Sequence, residues 1–177
     1  MSILASLFVL GAGVYAASLT EATSTANTFA SANPHLQISS DGTTFTDSIS
    51  AGLNASHISP GHDQTAVFYL KNTGDQTLSL NTLFNATGVG NALGLTAGHL
   101  QNDLQVGIAC VDHADDTTAI ASIGSQGFHN YEGTAVPFTG AGTLTQNQVA
   151  KCTLTASLAV TTDSGQNLVY NATFGGN

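Results

Sequence analysis

The chain predicts an all-β fold, a jelly-roll-like β-sandwich, on three observations. Its apolar residues alternate with a period of two, rather than 3.6, over several short segments. Turn residues punctuate those segments, with 19 Gly against only 3 Pro. Charged residues make up only 7% of the chain, so Ser, Thr, Asn, Gln and Gly carry the solvation. At 177 residues, 42% of them hydrophobic, the chain is long enough for one domain with a sizeable core and is no disordered chain.

The elements follow in order. Residues 1–19, MSILASLFVLGAGVYAASL, are apolar and uncharged. As a strand both faces are apolar, with Ile3, Leu7 and Val9 on one side and Leu4, Phe8, Leu10 and Val14 on the other. As a helix, Ile3, Leu7, Leu10 and Val14 fall on one stripe. Gly11 and Gly13 weaken either assignment. The strip lacks the Lys or Arg of a signal-peptide n-region, since the first basic residue is Lys71, and it is expected to be retained. Residues 20–28, TEATSTANT, read as a polar linker or a helical turn, and residues 29–177 as the sandwich domain.

Within the domain, 36–38 alternates into the Ser40-Asp41-Gly42 turn, and 44–49 is the next candidate strand. Residues 64–72, QTAVFYLKN, are the clearest strand, and the turn after Asn72 returns the chain along 77–84 as an expected hairpin partner. Segments 104–111, 149–161 and 167–174 complete the set, and 112–143 reads as irregular, with one short strand near 135–138. Seven or eight strands of this kind suggest a sandwich or jelly roll.

A net charge of −9 with two basic residues, Lys71 and Lys151, argues against nucleic acid and against anionic lipid as partners. Cys110 and Cys152 sit in strand-like contexts and are expected to form one disulfide in an exported protein. The six histidines match no metal-ligand spacing; His57 and His62 flank one turn, and an exposed turn pair is the default. Asp112, Asp115 and Asp116 cluster without calcium-loop spacing, so a solvated acidic loop is expected. No nucleophile elbow, phosphate loop or dinucleotide fingerprint is present, and no enzyme activity, metal or cofactor is expected. Asn54, Asn85 and Asn171 each open an Asn-Ala-Ser/Thr acceptor for N-glycosylation, a number close to chance in so Ser/Thr-rich a chain. Asn171 falls in an expected strand and must then face outward.

Several of these segments together resemble the TasA/camelysin family of biofilm-matrix fibre proteins. The residues that carry the resemblance are Ala22-Thr-Ser-Thr-Ala-Asn-Thr-Phe29, Ile58-Ser-Pro-Gly61, Val67-Phe-Tyr-Leu-Lys-Asn72 with Gly74, and Asn167-Leu-Val-Tyr-Asn-Ala-Thr-Phe174. The chain is also similar to archaeal bundling-pilus subunits. The resemblance implies a jelly-roll subunit of an extracellular, cell-surface filament. There each subunit's N-terminal segment is a donor strand that completes the sheet of an identical neighbour, head to tail, with no stable membrane anchor once assembled. Ile3, Leu4, Leu7, Phe8, Val9, Leu10 and Val14 would be the inserted residues. Two departures are the paired cysteines and the scarcity of charge. Some camelysins are described as metalloproteases, but no zinc-protease helix motif occurs here. β-Augmentation by an apolar strand would give such a contact, and a contact that does not close on itself propagates a filament. Low surface charge favours lateral bundling. The alternatives are a type IV-like pilin with an N-terminal core helix and a membrane-anchored surface β domain.

Overall fold

A computed structural model describes residues 20–21, 34–48, 60–89, 92–158 and 167–176. Residues 3–14, expected as the donor segment, together with Asn54 and His57, lie outside them. The fold is all-β, with antiparallel strands in two five-stranded sheets. In chain order the strands are β1 (Thr20–Glu21), β2 (Leu36–Ser39), β3 (Gln64–Asn72), β4 (Leu78–Val89), β5 (Leu104–Asp112), β6 (Ala119–Gly127), β7 (Val136–Pro137), β8 (Thr143–Leu144), β9 (Val149–Leu158) and β10 (Asn167–Gly176). One sheet runs β1-β10-β4-β7, with β8 also on β4; the other runs β2-β3-β9-β5-β6. One helical turn, α1 (Leu100–Asp103), precedes β5.

The period-two pattern builds the core directly. On β9, Ala150, Cys152, Leu154, Ala156 and Leu158 are buried, while the residues between them are half-exposed. Their counterparts include Leu36 and Ile38 on β2, Phe68 and Leu70 on β3, and Val106 and Ile108 on β5. The β10 sheet contributes Leu78, Leu80, Phe84 and Phe174 to the same cluster. Phe68 of one sheet and Phe174 of the other meet with ring centroids 4.8 Å apart, so the two sheets share one core. Burying side chains of this size contributes about 1.5–3 kcal/mol each.

The expected disulfide is present. Cys110 of β5 and Cys152 of β9 are register partners, with Cα atoms 4.0 Å apart. Both are buried, at 1% and 0% exposure, so the bridge lies inside the core.

Four expectations are corrected. The 77–84 segment is not the hairpin partner of 64–72. β3 pairs with β2 and β9, whereas β4 lies in the other sheet against β10. The turn after Asn72 is a corner between sheets, and the fully buried Asn72 side chain pins it. Its Nδ2 donates to the Gln76 and Leu144 carbonyls, and its Oδ1 accepts from the Gly74 amide. A turn signal is the same for a hairpin and a corner; only the pairing of the next strand separates them.

Of the 44–49 segment, the described residues 44–48 supply one bridge, Ile38 to Thr46, rather than a strand. The 112–143 region holds a nine-residue strand, β6, that small residues and Gly124 conceal. Its pairing with β5 carries two register shifts, and Gly107 allows the close approach: a Cβ there would lie 3.2 Å from the Ser125 backbone. Thr20 and Glu21, read as linker, form the short strand β1 against Gly176 and Gly175.

Candidate functional site

Three of the four sheet edges are covered by other parts of the chain. At the β2 edge, Ile38 and Thr46 exchange backbone hydrogen bonds of 2.8 and 3.0 Å. At the β6 edge, Ser122 and Thr139 do the same at 3.0 and 2.7 Å, and the Gly142 amide donates to the Ile120 carbonyl. The far side of β4 receives β7 and β8, and the Phe84 carbonyl accepts from the Gly133 amide.

The fourth edge is β10. All ten of its residues pair with β4 on one side. On the other side only Gly175 and Gly176 have partners among the described residues, Glu21 and Thr20. Residues 167–174, the ten less these two, have no strand beside them there among the described residues. At about 3.4 Å per residue this edge is roughly 27 Å long. Its sequence, NLVYNATF, contains no charge and no Pro, the residues that ordinarily protect an edge from adding another strand. The closed end is fixed by glycine: a Cβ on Gly175 would lie 2.7 Å from Asn81 Oδ1, and one on Gly176 would lie 2.9 Å from Leu78 Cβ. Thr20 is opposite Gly176 and Glu21 opposite Gly175, so β1 and β10 run antiparallel.

The other residues singled out in the sequence have structural work. Asp112, Asp115 and Asp116 close the β5–β6 turn. Asp112 accepts from the Ala114 amide (2.9 Å) and from Gln148 Nε2 (2.7 Å). Asp115 accepts from the Thr117 and Thr118 amides, both at 2.8 Å, and from the Thr118 hydroxyl. The Thr118 hydroxyl and these amides hold the Asp115 carboxyl down to about 2. Asp116, in the left-handed region at φ 54°, meets Lys151 Nζ at 2.8 Å and His113 Nδ1 at 2.9 Å. Those two partners, Lys151 first, lower its carboxyl, and Asp116 in turn raises the Lys151 ammonium. These carboxylates thus face different partners. Among the described residues no group of three His, Cys, Asp or Glu side chains could hold a metal ion.

One constellation was not read from the sequence. His35 Nε2 meets Asp47 Oδ1 at 2.9 Å, and His35 Nδ1 meets the Thr73 hydroxyl at 2.7 Å. Gln37 Nε2 also donates to Asp47 at 3.2 Å. The Thr73 amide donates to the His35 carbonyl, and the Gly74 amide to Asn72 Oδ1, so both backbone donors beside the hydroxyl are engaged. The arrangement ties the β2 edge to the loop and turn on either side. Three residues 38 positions apart at most in sequence carry no motif that would reveal it.

Asn85 is exposed on β4, and its register partner is Asn171 on β10. His62 is exposed. No helix among the described residues is long and apolar enough to cross a membrane, which does not bear on β-barrels. Comparison with protein-family models, with curated proteins and with solved structures finds no match to this chain.

Proposed function

We propose that the protein is a structural subunit of an extracellular filament, assembled by strand donation between identical copies. The observation that carries this reading is the β10 edge along residues 167–174, which has no partner on one side among the described residues; the same sequence also carries an apolar N-terminal strip. In this reading Ile3, Leu4, Leu7, Phe8, Val9, Leu10 and Val14 of one copy add to the β10 edge of the next. The pairing supplies main-chain hydrogen bonds, and the two-sided apolar pattern supplies burial. The buried disulfide supports an oxidising, extracellular setting. The likeness to the TasA/camelysin family and to archaeal bundling pili, and with it a role in cell–cell adhesion and biofilm matrix, belongs to the same proposal. So do the jelly-roll topology and lateral bundling of the filaments.

Deletion of residues 1–19 tests the reading. The truncated chain is expected to fold, to stay monomeric, and to bind a synthetic peptide of residues 1–19. Amide protection along β10 should rise on binding. Filaments formed by the truncated chain would sink the proposal. A peptide bound in helical form would favour a pilin-like core instead.

A further inference from the structure

We propose that Thr73 is an acyl-acceptor site, a hydroxyl that His35 and Asp47 activate toward donors with a good leaving group, such as aryl esters and thioesters. The inference stands apart from the assembly reading: it concerns the β2 side of the fold and is read on monomer.

The contacts run from nucleophile to base to orienting carboxylate. The Thr73 hydroxyl meets His35 Nδ1 at 2.7 Å, and His35 Nε2 meets Asp47 Oδ1 at 2.9 Å. An ionised carboxylate only accepts, so Asp47 selects the tautomer that carries its proton on Nε2. The Nδ1 lone pair then faces the hydroxyl and can take its proton. Gln37 Nε2 donates to Asp47 at 3.2 Å and holds the carboxylate in place. The backbone fixes all three partners. Leu36 is opposite Asn72 in the β2–β3 register, and the Thr73 amide donates to the His35 carbonyl at 2.8 Å. The bridge from Ile38 to Thr46 sets the residue before Asp47. The site is reachable: the His35 and Asp47 side chains are 24% and 43% exposed, and Thr73 is half-buried. Other threonine hydroxyls are placed differently. Those of Thr46, Thr82 and Thr139 donate to backbone carbonyls, and that of Thr118 donates to the Asp115 carboxylate. None of those oxygens is as basic as an imidazole.

In the proposed step Thr73 Oγ1 attacks the acyl carbon. The new C–O bond forms as the bond to the aryl oxide or thiolate breaks. The hydroxyl proton passes to His35 Nδ1, Asp47 steadies the imidazolium, and the proton then leaves with the departing group. The product is an ester on Thr73. Turnover does not follow. The Thr73 and Gly74 amides already donate to the His35 carbonyl and to Asn72 Oδ1, so neither is free to hold an oxyanion. Hydrolysis would have to expel the Thr73 alkoxide, a far poorer leaving group than the aryl oxide or thiolate, without that help. The acyl group therefore stays on the chain.

The test treats the folded, full-length protein with para-nitrophenyl acetate and follows acetylation residue by residue with peptide mass spectrometry. Thr73 should be acetylated and Thr118 should stay bare, while the Lys71 and Lys151 amines report that the reagent is active. General-base help is worth about 10²–10⁴-fold. Asp47→Asn gives His35 an amide in place of the carboxylate, and should slow acetylation of Thr73 relative to Lys151 at least about tenfold. His35→Gln should slow it further. Thr73→Ser should be acetylated at the same position, and Thr73→Val should not. A brace with no chemical role would lower the melting temperature in these variants without this selective loss. If His35→Gln does not fold, Asp47→Asn decides. Thr73 left bare in the parent chain while the lysines are acetylated would overturn the proposal. So would a folded Asp47→Asn chain that acetylates Thr73 at the parent rate.

Discussion

The β2 and β10 edges end their sheets in opposite ways. β2 is four residues long, and its free side is met by the Thr46 bridge and braced by His35, Asp47 and Thr73. β10 is ten residues long, carries no charge, and is met only at Gly175 and Gly176 among the described residues. A short, braced edge resists further pairing; a long, neutral one invites it. Among the described residues the chain thus covers three edges with loops and side-chain bonds and the fourth only at its end, through Thr20 and Glu21. The difference is what the strand-donation proposal rests on, without any appeal to a binding pocket.

The first way to test the contrast is to loosen the braced sheet. The Cys110–Cys152 bridge closes a loop with a sequence separation of 42. In the chain-entropy model it is worth about 4 kcal/mol. Replacing both cysteines by Ala should lower the melting temperature by roughly 10 °C, at about 2–4 °C per kcal/mol for a domain of this size. Calorimetry measures it. A loss below about 1 kcal/mol would show that the β2-β3-β9-β5-β6 sheet does not depend on its staple.

The second variant removes the brace. His35→Ala leaves the Thr73 hydroxyl and the Asp47 carboxylate without their shared partner, at a cost of about 2 kcal/mol. Hydrogen exchange at Leu36 and Ile38 should speed up. If the brace also shields the edge, the variant should begin to associate through β2, seen by sedimentation. Unchanged exchange there would mean that the Thr46 bridge alone closes the edge.

The third adds a charge to the neutral β10 strand. Thr173 is half-exposed, and its carbonyl accepts from the Thr82 hydroxyl at 3.2 Å, a bond that a side-chain replacement retains. In unglycosylated protein, Thr173→Lys should slow filament growth at least about tenfold, equivalent to about 1.4 kcal/mol. The stability of the monomer should change by no more than about 0.5 kcal/mol. Growth at the parent rate, followed by light scattering, would place assembly elsewhere.

How much of this contrast the sequence reveals depends on the range of each contact. The alternation on β9 and β10 is local, and both strands are legible, as are β2, β3 and β5. Cys110 and Cys152 are legible because export chemistry favours their pairing. β6 is hidden because its residues are small and its place is set by register with β5, bulges included. The β3–β4 corner is hidden because Asn72 reaches the Leu144 carbonyl, 72 positions away. Openness of an edge is the least legible property, since it depends on strand order. The composition of 167–174 offers the one local hint, an edge-length strand without Lys, Glu, Asp or Pro.

The smallest effect expected is on pH, and it separates the two regions once more. Asp115 holds its carboxyl at about 2 in the folded chain, against about 3.9 when unfolded. A depressed carboxyl stabilises the fold fully above the unfolded value and loses that contribution as pH falls toward the folded one. The β5–β6 turn should therefore loosen between about pH 4 and pH 2. The Thr117 and Thr118 amides, which Asp115 accepts, report it through hydrogen exchange. Asp115→Asn should remove most of the dependence there. Residues 167–176 contain no carboxylate, so pairing along β10 should not follow the same curve. Peptide binding at the β10 edge that fell in step with the Thr117 and Thr118 amides would show that the two sheets are coupled, and that the open edge depends on the closed one for its shape.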